Sequence, residues 1–145
     1  MSKVIKLKKG LDIKLKGEAE NLVKSIEKCD FYAVKPTDFR LLTPKLAVKA
    51  GDQVKAGDVL FINKYRPEVK FTSPVSGTVE AVNRGERRKL LEVVVKADAQ
   101  IQYKDFGAAD VNKLSREEII EKLLDSGVWP MIKQRPYDII ANPAD

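Results

Sequence analysis

The sequence predicts a mainly β fold with some helix, on three observations. Short apolar runs between Arg40 and Lys96 are separated by glycine-bearing turns. No window in that stretch sustains the roughly 3.6-residue period of an amphipathic helix. One well-capped helix follows Asp105. The expected organisation is a compact barrel or sandwich over residues 40–104. An N-terminal strand and helix segment, 1–39, packs on it, and a C-terminal helical segment occupies 105–145.

In the first region, Leu11, Ile13 and Leu15 alternate with Asp12, Lys14 and Lys16. That period of two places three aliphatic side chains on one face of a strand. The spacing of Leu22, Val23 and Ile26 predicts a short helix over residues 18–28. Phe31-Tyr32-Ala33-Val34 reads as a strand halted by Pro36, which fixes φ and lacks an N–H. In the second region the strand-forming runs are 46–48, 59–62, 69–71, 78–82 and 90–95. Gly51-Asp52, Gly57-Asp58, Gly77 and Gly85 are expected to make the turns. In the third, Ser115-Arg116-Glu117-Glu118 is a capping box, in which serine and glutamate satisfy each other's backbone donors. Leu114 and Ile119 occupy the positions of a hydrophobic staple. Ile119, Ile120, Leu123 and Leu124 form one apolar stripe, and Gly127 is placed to stop the helix. The stripe either packs back on the barrel or meets a further domain. Beyond it, Trp129-Pro130-Met131 and Ile139-Ile140 are apolar with no packing element evident to receive them.

Composition narrows the chemistry. An apolar fraction of 43% and a charged fraction of 33% over 145 residues describe a soluble globular chain with one core. The longest uncharged run, Phe71 to Val79, falls far short of the roughly 20 apolar residues of a spanning helix. Lysines scattered through the first ten positions break any apolar core there, so a secretory signal is not expected. Histidine is absent from the sequence, which removes the commonest proton shuttle and metal ligand. The single cysteine, Cys29, allows no internal disulfide and no cysteine-only zinc or iron–sulfur site, and is expected as a small buried hydrophobe. There is no Gly-x-Gly-x-x-Gly and no Gly-Lys-Ser/Thr loop. Gly51 and Gly57 each precede an aspartate, which would repel a pyrophosphate, so both read as turns. No catalytic, cofactor-binding or metal-binding residue is expected.

The net charge of +6 arises from 27 basic and 21 acidic residues interspersed along the chain, the pattern of an ordinary solvated surface. The densest basic cluster, Arg84, Arg87, Arg88 and Lys89, falls at a predicted hairpin. With Trp129 it forms the candidate set for partner contact, cations near an anionic surface contributing about 1 kcal/mol each. A solvated hairpin tip, and packing of Trp129 on the helix end, are the plainer readings. Tyr65, Phe61 and Phe71 are as readily core or hairpin residues as a base-stacking surface.

An internal echo then points to topology. Val48-Lys49-Ala50-Gly51-Asp52 is answered 34 residues later by Val82-Asn83-Arg84-Gly85-Glu86. Between them runs Ser73-Pro74-Val75-Ser76-Gly77-Thr78-Val79. Two strand-turn units joined by a crossing segment suggest two interlocked sheets related by an approximate twofold. The run from Val48 to Leu60, with two Gly-Asp pairs, and the Ser-Pro-Val-Ser-Gly-Thr-Val segment resemble the biotinyl/lipoyl family. That resemblance implies a barrel-sandwich hybrid. In carriers of that family the modified lysine lies 11 residues before the equivalent of Gly77, a position held here by Arg66. A guanidinium stays protonated and is a poor acyl acceptor, and Lys64 is displaced from the tip. A lipoyl or biotin carrier is therefore disfavoured.

Further stretches are similar to the A subunit of the sodium-translocating NADH:quinone reductase. They are Leu7-Lys8-Lys9-Gly10-Leu11-Asp12, the run from Lys70 to Gly85, and Gly127-Val128-Trp129-Pro130-Met131-Ile132-Lys133-Gln134-Arg135-Pro136-Tyr137. The resemblance is loose from Glu20 to Pro36. It implies a non-catalytic N-terminal piece of a longer polypeptide, contributing to assembly and to the quinone side of the complex, and it implies that the stripe on the C-terminal helix meets a domain beyond this piece. That polypeptide is expected as a peripheral partner of other subunits, on the cytoplasmic face of the bacterial inner membrane and without nucleic acid. Flavins and an iron–sulfur centre are implied in the other subunits, with quinone as substrate. The related iron–sulfur electron-transfer subunit of the ion-pumping ferredoxin:NAD reductase has a similar N-terminal region and is the alternative.

Overall fold

The computed structural model describes residues 6, 16–25 and 27–144. Nine strands and one α-helix occur among the described residues. The strands are β1 (Phe31–Val34), β2 (Pro44–Leu46), β3 (Gln53–Val54), β4 (Val59–Asn63), β5 (Lys70–Thr72), β6 (Gly77–Arg84), β7 (Leu90–Ala97), β8 (Lys133–Gln134) and β9 (Ile139–Ile140). One sheet has the order β1-β7-β6-β3 and a second the order β2-β4-β5, with β8-β9 as a small hairpin. All the strand pairs are antiparallel. Because β3 and β6 lie in one sheet while β4 and β5 lie in the other, the chain crosses repeatedly between the two. This is the mainly β, barrel-sandwich arrangement that the motifs imply.

The two Gly-Asp pairs produce the same turn twice. Asp52 Oδ2 accepts from the Lys49 N–H at 2.9 Å, and Asp58 Oδ2 accepts from the Lys55 N–H at 2.8 Å. Each aspartate N–H donates in turn to the carbonyl of that lysine. Side-chain acceptors of this kind let a short polar residue close a turn locally. One turn leads into β3 and the other into β4, so the repeated Lys-Ala-Gly-Asp sends successive strands into different sheets.

The core fills the space between the sheets with Leu60, Phe61, Val69, Phe71, Val79, Val93 and Val95. Val79 and Val95 are register partners, as are Phe61 and Phe71, whose rings stack with centroids 4.8 Å apart. Phe39 adds an edge-on contact to Phe71 at 4.7 Å. Each such side chain contributes roughly 1.5–3 kcal/mol on leaving water. A bulge after Val79 skips Glu80 and leaves it in solvent, so an acid fits directly after a core valine.

Gly77 opens β6 rather than making a turn. A Cβ built there would lie 1.9 Å from the Lys96 carbonyl oxygen on β7, so only glycine lets the two backbones approach. Gly85 likewise does not turn the chain: its backbone is extended, and Arg87 and Arg88 make the bend instead. The run expected at 46–48 forms two residues earlier, at Pro44–Leu46, where its register with β4 places it.

The expected helix over 18–28 is absent. Residues 18–25 and 27–28 carry no helix, and Leu22 and Val23 are 65% and 103% exposed. A short helix is marginal in water unless a packed face supports it, and these side chains meet no core. Ile26 and the strand expected from Leu11 to Leu15 lie outside the described residues. Cys29 is exposed rather than buried, because it sits in this same unpacked stretch before β1.

Helix α1 (Arg116–Asp125) forms with both halves of its capping box: Ser115 Oγ accepts from the Glu118 N–H at 3.3 Å, and Glu118 Oε2 accepts from the Ser115 N–H at 2.7 Å. Gly127, at φ 74°, closes its end, with the Val128 N–H donating to Leu123 O and the Gly127 N–H to Leu124 O. This is the pattern a left-handed residue after a helix produces. Contrary to the expectation of a stripe left for a further domain, Ile120, Leu123 and Leu124 pack against the barrel core, because the chain after β7 brings the helix back onto it. Lys70 on β5 ties the helix end down through Asp125.

Two outcomes are expected. Gly77→Ala should lower stability by about 3 kcal/mol or more, whereas Gly51→Ala, at φ 92° with open space around it, should cost about 1 kcal/mol in a urea titration. The hydrogen bond from Lys70, and then its charge, hold the Asp125 carboxyl below the usual carboxylate range. Its contribution is therefore complete above the unfolded value of about 4 and is lost as pH falls through the lower folded value. Lys70→Met should flatten the stability-against-pH curve in that acid window and leave its neutral arm shifted by less than about 1 kcal/mol, the pair being exposed.

Candidate functional site

The β4–β5 hairpin is where a carrier would present its lysine. Its apex is the turn Arg66-Pro67-Glu68-Val69, closed by the Val69 N–H donating to Arg66 O at 3.0 Å. No lysine stands in that turn. Arg66 is half-buried and lines a small recess with Asn63 and Ile140. Lys64 is exposed on the strand exit, its ammonium 5.8 Å from the Tyr65 ring centre. Phe61 and Phe71 are core residues, while Tyr65 is exposed.

The basic cluster falls at the β6–β7 hairpin. There the Lys89 N–H donates to Glu86 O at 3.1 Å and the Gly85 N–H donates to Lys89 O at 2.9 Å. Arg87 (φ 53°, ψ 29°) and Arg88 (φ 61°) both occupy the left-handed region at the centre of the turn. Two left-handed central residues match the right-handed twist of the flanking strands, and Asn-Gly is the pair that adopts them at least cost. Two arginines there carry strain of about 1 kcal/mol or more each. Arg84 Nη1 donates to Arg88 O at 3.0 Å and braces the tip.

Tertiary structure adds a second segment that sequence reading missed. Arg84, Arg88 and Lys89 face Arg40 across a cleft of about 470 Å³, with Phe39, Leu42 and Leu90 among its apolar walls. Arg87 is exposed at the tip but does not line this cleft. Arg40 Nη1 donates to the Tyr137 carbonyl oxygen at 3.4 Å. Among the described residues, none of these five cations forms an ion pair. Leu41, next to Arg40, is left-handed at φ 61° and 81% exposed. No local pattern marks Arg40 or Leu41, because their neighbours in space are more than 40 positions away in sequence.

Trp129 is placed differently from the arginines. It is 7% exposed, its Nε1 donates to Ala141 O at 2.9 Å, and it joins the hydrophobic core. Its ring thus anchors the C-terminal hairpin to the barrel and offers little surface to another chain. Among the described residues no group of three His, Cys, Asp or Glu side chains is placed to hold a metal ion, and no helix is long and apolar enough to cross a membrane.

Comparison with known proteins agrees with this architecture. Residues 5–98 match the family model of the NqrA N-terminal barrel-sandwich hybrid domain, and residues 114–145 match that of the NqrA second alpha/beta domain. The chain is 38% identical over 136 residues to the A subunit of the Na(+)-translocating NADH-quinone reductase of Hahella chejuensis, covering 92% of this chain and 30% of that protein. It is 39% identical to the counterpart from Yersinia pestis with the same coverage. Against the counterpart from Pseudomonas aeruginosa it is 35% identical over 142 residues, covering 97% of this chain and 32% of the relative. The chain thus spans about a third of the length of these relatives. With an N-terminal barrel-sandwich match covering well over half its length, followed in order by a match to the second domain, the chain belongs to the NqrA family.

Proposed function

We propose that this chain is a non-catalytic scaffold portion of the A subunit of a sodium-translocating NADH:quinone reductase. It contributes to assembly and to the quinone-side function of that complex. The observation that carries the reading is the hairpin apex Arg66–Val69: the carrier-like shell is complete, and its tip has no amine to modify. Residues 1–39 serve as the N-terminal segment, 40–104 as the barrel-sandwich hybrid, and 105–145 as the lead into a following domain. Flavins and an iron–sulfur centre reside in other subunits, and quinone is the substrate of the whole complex. The chain is held peripherally on the cytoplasmic face of the bacterial inner membrane through those subunits. Matches to both NqrA domains favour this reading over an iron–sulfur subunit of a ferredoxin:NAD reductase.

Contact with neighbouring subunits runs through Arg84, Arg87, Arg88 and Lys89, while Trp129 holds the C-terminal hairpin in place. The strain at Arg87 and Arg88 supports this. A turn selected for stability alone would carry asparagine and glycine.

Expression beside affinity-tagged membrane subunits of the reductase should recover the chain with them. Recovery of those subunits without it would remove the assembly reading. Intact mass should be unchanged after expression with lipoate and biotin ligases, and an adduct would restore the carrier. Arg87→Asn combined with Arg88→Gly should raise stability by about 1 kcal/mol in urea unfolding while reducing co-purification.

A further inference from the structure

We infer that the cleft between Arg40 and the β6–β7 hairpin is a docking site for an acidic, leucine-bearing segment of a partner polypeptide. This deepens the assembly reading and rests on it. Charge is the first argument. Arg40, Arg84, Arg88 and Lys89 converge from two separate segments, and among the described residues no carboxylate lines the cleft and none of the four forms an ion pair. The acids nearest in sequence, Asp38 and Glu86, lie on the flanking turns outside the lining. Cations gathered in a concave site with apolar walls focus their field into it and draw in a ligand of opposite sign.

Strain is the second argument, and it is independent of charge. Leu41 stands in the left-handed region, where a Cβ is disfavoured, yet it is 81% exposed and buries little in this chain. Glycine or asparagine would relax that backbone. A strained, exposed leucine beside four unpaired cations is explained by contact with something outside the chain. Phe39, Leu42 and Leu90 in the same cleft supply the surface that an apolar side chain of the partner would cover.

Shape favours a polypeptide over a bilayer. A headgroup layer is planar and meets flat or convex basic patches, whereas a half-open cleft of about 470 Å³ between two segments admits side chains projecting from a strand or turn. Acidic groups flanking leucines would set carboxylates against the guanidinium rim, where paired hydrogen bonds form, and aliphatic groups against the walls.

The test is fluorescence anisotropy of a short labelled peptide alternating glutamate with leucine, added to this chain at low ionic strength. A lysine–leucine counterpart and phosphatidylglycerol vesicles serve as the other probes. The glutamate peptide is expected to bind, more weakly as salt rises, and the lysine peptide not to bind. Arg40→Glu with Arg84→Glu should weaken binding about tenfold or more. Leu41→Gly should also weaken it while leaving the melting temperature within about 4 °C of the parent, a separation that a structural role for Leu41 would not produce. Absence of peptide binding, equal binding of both peptides, indifference to both variants, or binding to vesicles alone would each overturn the inference. The assembly reading is judged separately by co-purification with the membrane subunits. Undiminished recovery of the Arg40→Glu, Arg84→Glu chain would sink the cleft and leave the assembly reading standing.

Discussion

The segment from Ser73 to Gly77 passes from one sheet to the other, and the closeness of that passage depends on a missing side chain. Gly77 brings β6 against β7 with no room for a Cβ beside the Lys96 carbonyl. The neighbouring residues hold the crossing in place. Ser76 Oγ donates to Asp98 Oδ2 and accepts from the Gln102 N–H, each at 2.8 Å, while Ser73 Oγ donates to Val75 O at 2.7 Å. Both serines are buried, and both are satisfied, so the apolar core is interrupted by polar atoms without the penalty of an unpaired group. Displacing this crossing would separate Val79 from Val95 and open the core.

From that constraint the exposed features take their positions. The pairing of β6 with β7 extends to a hairpin whose tip carries Arg87 and Arg88 in strained conformations. The same β7 receives β1, whose continuation through Pro36–Asp38 brings Arg40 and Leu41 opposite that tip. A rigid shell is therefore what sets two cationic segments across one cleft. The β4–β5 hairpin, which in carriers bears the modified lysine, is here a proline turn with a half-buried arginine beside a small recess. The family resemblance and the geometry are thus consistent: the scaffold is retained and the arm is absent.

Helix α1 and the C-terminal hairpin act as a buttress. Trp129 hydrogen-bonds to the Ala141 carbonyl and enters the core, Ile120, Leu123 and Leu124 cover the barrel, and Lys133 lies 4.8 Å from the centre of the Phe39 ring. That last contact, in the range of a cation–π interaction, links the buttress to a wall of the cleft. The region matched to the second NqrA domain therefore packs on the hybrid directly.

Local chemistry was legible wherever a few adjacent residues suffice to fix the backbone. The doubled Lys-Ala-Gly-Asp, the Ser115–Glu118 capping box and the Gly127 stop each close their own hydrogen bonds within a handful of positions, so neighbouring residues alone set those turns and the helix they bound. The apolar runs at 78–82 and 90–95 marked the strands β6 and β7, and the family resemblance, counted back from Gly77, put an arginine at the carrier position. Packing settled the rest. Residues 18–25 lost their helix because no partner surface covers Leu22 and Val23, and Gly85 ceded the turn to Arg87 and Arg88 because the strand twist, not glycine content, sets where the hairpin bends. Trp129 became a core anchor because Ala141 returns to meet it. Arg40 and Leu41 joined the basic hairpin only through the register of β1 on β7, since contacts between distant segments follow from packing that no local run of residues encodes.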